Sequence, residues 1–77
     1  MPLYYFDIAG PNGAKRDDTG GHHADLTAVC RHASGEVCRA ASDYEGDERG
    51  FAYTVRVRDQ TGAMIYRATL TMTQTPR

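Results

Sequence analysis

Apolar and polar residues alternate in three stretches of the chain and recur at helical spacing in a fourth. The first alternating stretch is residues 3–9. Tyr4, Phe6 and Ile8 share one side of an extended segment; Leu3, Tyr5 and Asp7 share the other. Its aromatic residues suit a pleated, half-buried surface. Gly10-Pro11-Asn12-Gly13 then signals a turn, because proline presets φ while Asn and Gly tolerate positive φ. Of the next segment only residues 14–17 and 21–23 read as strand, with Asp17-Asp18-Thr19-Gly20-Gly21 as a turn or bulge between them. A short, irregular edge strand is expected there, and such edges use charges and bulges to block further pairing.

The helical stretch starts at Asp25, whose carboxylate can accept from unpaired N–H groups and meets the positive end of the helix dipole. Leu26, Cys30, Ala33, Val37, Ala40 and Tyr44 follow at alternating spacings of four and three, which predicts one buried face over residues 26–44. Val29 and Ala41 widen it, while Arg31, His32, Glu36, Arg39 and Asp43 fall on the solvated side. Gly35 lies mid-helix, where glycine costs about 1 kcal/mol relative to alanine. The helix is expected to end near Tyr44 or Glu45, with Gly46 as its left-handed terminator.

Two strands close the chain. Phe51, Tyr53, Val55 and Val57 oppose Thr54, Arg56 and Arg58 across the first; Met64, Tyr66, Ala68, Leu70 and Met72 oppose Ile65, Arg67, Thr69 and Thr71 across the second. Directly opposed residues share a face. The apolar sets therefore predict Val57 opposite Met64, Val55 opposite Tyr66, Tyr53 opposite Ala68 and Phe51 opposite Leu70. The connection is a four-residue loop, 59–62, with Gly62 at positive φ. The whole predicts an α+β fold of two layers, β-β-α-β-β, with an antiparallel four-stranded sheet and one helix on one face. Sheet order 2-1-3-4 is preferred, and 2-1-4-3 is the alternative.

Size changes this picture little. Seventy-seven residues form one domain spanning 1–77, with 73–77 expected as a frayed tail. A chain this short buries roughly 60–65% of its unfolded surface. Cys30 and Cys38, on one helix, stand about 12 Å apart along its axis, beyond disulfide reach. Two buried, reduced thiols would suit the cytoplasm. A net charge of −1 gives no general pull toward nucleic acid or anionic lipid. Residues 1–7 lack the basic start and long apolar run of a signal peptide, and no stretch has the length of a membrane span.

Four motifs carry a resemblance: Met1-Pro2-Leu3-Tyr4-Tyr5-Phe6, Asp17-Asp18-Thr19-Gly20, Asp25-Leu26-Thr27-Ala28 and Asp59-Gln60-Thr61-Gly62. With them the chain resembles a widespread family of short bacterial proteins classed as a domain of unknown function. The likeness runs over nearly the whole chain. It departs at Gly21, His23 and Ala24, where members carry an apolar residue and a Leu-Pro step. The resemblance implies no activity, cofactor or partner.

Candidate chemistry is sparse. His22, His23 and His32, with Asp17, Asp18 and Asp25, suggest a metal, but adjacent strand residues point to opposite faces, and neither Cys-x-x-Cys nor His-Glu-x-x-His occurs. Asp43, Glu45 and Asp47 start like a calcium loop, which fails at Glu48 and Thr54. The Gly10–Arg16 stretch lacks the Gly-Lys-Ser/Thr of a phosphate loop. Cys30, Cys38, Ser34 and Ser42 have no base arranged beside them in sequence. No catalytic, cofactor-binding or metal-ligating residue is expected. The outer sheet face remains. Leu3, Tyr5, Arg56, Arg58, Ile65 and Arg67 should gather there, uncovered by this chain. That face suits a protein partner or a homodimer. The alternative is a single-stranded nucleic-acid platform on Arg56, Arg58 and Arg67, against which the net negative charge and the few outward aromatics argue.

Overall fold

The structure, a computed structural model, describes residues 1–46 and 49–75. Its elements are β1 (Leu3–Gly10), β2 (Gly13–Lys15), β3 (Gly21–His22), α1 (Leu26–Asp43), β4 (Gly50–Arg58) and β5 (Met64–Thr73). The sheet is antiparallel in the order β2-β1-β4-β5, and β3 also pairs with β1. This is the expected α+β architecture and the preferred strand order, with the irregular second strand divided into β2 and β3.

The division has a plain cause. Ile8 pairs with Lys15 and Tyr4 pairs with Gly21, so residues 5–7 of β1 face the longer stretch 16–20. The surplus chain leaves the sheet, and the Asp17 carboxylate takes its place. Phe6 N–H donates to Asp17 Oδ2 at 3.0 Å, while Thr19 and Gly20 N–H donate to Oδ1, each at 3.0 Å. Gly20 has φ +75°, and a Cβ there would meet the Tyr4 carbonyl oxygen at 2.9 Å, so the return requires glycine.

Asp25 caps α1 as its position predicts, accepting from Ala28 N–H at 2.9 Å. The buried line then runs Val29, Ala33, Val37, with Ala40, Ala41 and Tyr44 packed beside it. This line is rotated from the expected stripe in the first turns. Leu26 is 54% exposed, Cys30 is half-buried and Cys38 is exposed, which corrects the expectation of a buried Leu26 and two buried thiols. The reason is placement: α1 lies across β4 and β5 and scarcely touches β1, so its 26-30-34-38 flank overhangs the sheet instead of facing it. The helix stops at Tyr44, which turns extended at φ −72° and ψ 126°; it does not use a left-handed glycine at Gly46. Gly35 is merely tolerated, since an added Cβ meets nothing within 4 Å.

The core is Phe6, Val29, Ala33, Val37, Tyr53, Val55 and Val57. Val29, Val55 and Val57 are fully buried, each contributing roughly 1.5–3 kcal/mol. Gly10 lies against the Tyr53 ring, in space a Cβ would need.

The β4–β5 register departs from expectation by two residues. Val57 pairs with Tyr66, Val55 with Ala68, Tyr53 with Leu70 and Phe51 with Met72. The even shift keeps both apolar sets on the inner face. The cause is the turn. Asp59 Oδ1 accepts from Thr61 N–H at 2.9 Å, Thr61 Oγ1–H at 2.6 Å and Ala63 N–H at 3.1 Å, and Asp59 N–H donates to the Ala63 carbonyl. Gly62 has the expected positive φ, +90°. The loop thus runs to Ala63, Met64 pairs with Arg58, and Ile65 is left over as a bulge. Strand β5 extends to Thr73, and Gln74 N–H donates to the Arg49 carbonyl, so pairing enters the segment expected to fray.

Candidate interaction surfaces

The six outer-face residues divide into three groups. Leu3, Tyr5 and Arg58 are tied into a clasp. Arg58 Nε donates to Asp7 Oδ2 at 2.7 Å, and Nη2 donates to Asp7 Oδ1 at 3.0 Å and to the Asp17 carbonyl at 2.9 Å. The guanidinium sits 4.8 Å from the Tyr5 ring centroid, and Leu3 and Tyr5 lie beside Gly20. Arg56 and Arg67 form the second group. They are exposed and directly opposed, with Asp7 on the other side of Arg56. Ile65 stands apart at the bulge, 37% exposed.

The clasp orders the acid–base groups around it. The Arg58 hydrogen bond is the main cause holding the Asp7 carboxyl below its ordinary value, and Asp7 in turn raises the Arg58 guanidinium. For Asp17, burial acts to raise the carboxyl, but backbone N–H groups of Gly20, Phe6 and Thr19 outweigh it and the net direction is down.

A second surface is the free edge of β5. Ten residues long, it carries Arg67 as its only charge and no proline, and its bulge lies at one end. Its inner side is half-covered at Tyr66, Ala68 and Leu70, and Met72 is 38% exposed. The flank of α1 overhangs this border. The Tyr66 hydroxyl lies beside Cys30 and Ser34, and the Cys30 thiol raises the phenol above its ordinary value. Leu26 and Cys38 continue that ridge one turn to either side, both exposed. Sequence spacing assigned Leu26 to the core; exposure at the first turn of a helix leaves no mark in a periodic pattern.

A third surface is a groove of about 540 Å³ between α1 and β1. His23 and His32 meet across it with ring centroids 5.0 Å apart, and Phe6 packs edge-on to both, at 5.3 and 4.5 Å. His22 points away, its Nδ1 2.9 Å from the Met1 carbonyl oxygen, as neighbouring strand residues must. His32 Nε2 lies 3.1 Å from Glu36, which also meets Arg39 at 3.5 Å. No group of three or more His, Cys, Asp or Glu among the described residues is arranged to hold a metal ion. Asp47 and Glu48, of the calcium-like run, lie outside the described residues. No described helix is long and apolar enough to cross a membrane.

Fold and surfaces together define a small two-layer α+β module with one covered sheet face and one open border. The chain belongs to the family described as Domain of unknown function (DUF6894), which matches residues 3–71. Comparison with curated proteins gives no match, and neither does comparison with solved structures.

Proposed function

We propose that the chain is a small protein-interaction module of the bacterial cytoplasm that self-associates by laying β5 against β5 of a second copy. The carrying observation is the long border of β5, with Arg67 as its single charge, beneath the exposed Leu26–Cys38 flank. An unpaired strand offers a row of N–H and C=O groups as a template, and proteins that avoid pairing blunt such edges. Here only the β1 side is blunted. Antiparallel pairing about a two-fold axis would extend the sheet and bring a partner strand under the helix flank, covering Leu26, Cys38 and Met72. The expectation of an open sheet face as the contact gives way to its border, because Arg58, Tyr5 and Leu3 are engaged within the chain. An unpaired, exposed Cys38 suits a reducing compartment.

The test is solution mass with hydrogen exchange across a concentration series. A rise from 8.5 kDa to twice that mass, with β5 amides becoming protected in step, supports the reading. A strict monomer, or a dimer that leaves β5 amides unprotected, overturns it. Salt-dependent oligonucleotide binding that weakens in Arg56→Ala would favour the nucleic-acid platform instead.

A further inference from the structure

The groove between α1 and β1 exists because the helix is displaced toward β5, leaving the inner side of β1 covered by imidazole rings instead of helix backbone. Phe6 and Ile8 form its floor; His23 and His32 form a wall. Its volume, about 540 Å³, falls in the range of small-molecule sites, and its lining is mostly polar and charged around that short apolar floor.

The polar groups around it are unequally engaged. Of the three carboxylates, Asp17 is spent on backbone N–H groups and Glu36 on His32 and Arg39. The cations are less occupied. Lys15 pairs in the ladder with Ile8, so it leaves the strand on the groove side, and it has no ion pair or side-chain hydrogen bond among the described residues. Arg16 adds a second positive charge at the same rim. Neither ring nitrogen of the half-buried His23 is hydrogen-bonded among the described residues. Asp18 is the one carboxylate of the lining with no ion pair or side-chain hydrogen bond among the described residues, so it is the opposing charge free to compete for Lys15.

We infer that this groove binds a small planar aromatic carboxylate, with its ring on Phe6 and the imidazoles and its carboxylate toward Lys15 and His23. The site is independent of pairing along β5, so the two ideas fail separately. The test is an NMR titration of the full isotope-labelled chain with sodium benzoate and, in parallel, benzylammonium. Benzoate should give saturable shifts at Phe6, Lys15, His23 and His32 with Kd on the order of 1 mM or tighter. Lys15→Gln should weaken it by about fivefold, and Asp18→Asn, which removes the opposing charge, should tighten it by about twofold. Both positions are exposed, so neither variant should unfold the chain. Linear shifts without saturation would overturn the inference, as would equal binding of benzylammonium or an affinity that neither variant changes.

Discussion

The two borders of the sheet solve the same problem in opposite ways. At the β1 border the returning chain pairs for three residues, leaves, and pairs again for two, and a side-chain carboxylate fills the gap. At the β5 border ten residues run with no proline and a single charge. The first border cannot accept another strand, because Phe6 N–H is already bonded to Asp17 and the loop is clasped by Arg58. The second can. A sheet with one sealed and one free border pairs once and stops, whereas two free borders would polymerise.

The largest effect should come from unsealing the first border. Asp17→Ala strands three backbone N–H groups and should cost about 2–3 kcal/mol in urea unfolding. It should also produce assemblies larger than dimers in sedimentation; a variant that stays dimeric breaks the contrast. The same border should carry the acid sensitivity. Asp7 and Asp17 both sit below 3.8 in the folded chain, so each favours folding while ionised. Stability should be level from pH 7 to about 5 and fall as pH drops below the ordinary carboxyl value through the depressed ones. Asp17→Asn should flatten that decline.

At the free border, Met72→Lys places a charge on the inner side of β5 at a position already 38% exposed. It should weaken the dimer at least tenfold, about 1.4 kcal/mol, while urea unfolding of the monomer changes by less than about 0.5 kcal/mol. Gly35→Ala serves as the control away from both borders. Its Cβ enters open space, so it should stabilise the fold by roughly 0.5–1 kcal/mol and leave self-association unchanged.

Much of this architecture was legible in the residues. Alternation located β1, β4 and β5, Asp25 marked the helix start, and Gly62 marked the turn, because each depends on contacts within a few positions. What depended on distant contacts was not legible. The hairpin register slipped because the Asp59 side chain captured Ala63, one residue beyond the loop that periodicity favours. The helix face rotated because the seat of α1 over β4 and β5 decides which flank is covered. The six outer-face residues were placed on the right strands, but alternation could not show that Arg58 is held by Asp7, fifty-one positions away. The groove was invisible for the same reason: nothing local links His23 to His32 or either to Phe6.

The displaced helix also sets a gradient of firmness through the molecule. Under α1 the layer is thick, and Val55 and Val57 are wholly enclosed; toward β1 it thins to a few rings packed edge-on. Warming should therefore loosen the molecule from the β1 margin inward, with β2 and β3 exchanging their amides first and β4 last. A protein that softens from one rim keeps its opposite rim in shape until global melting.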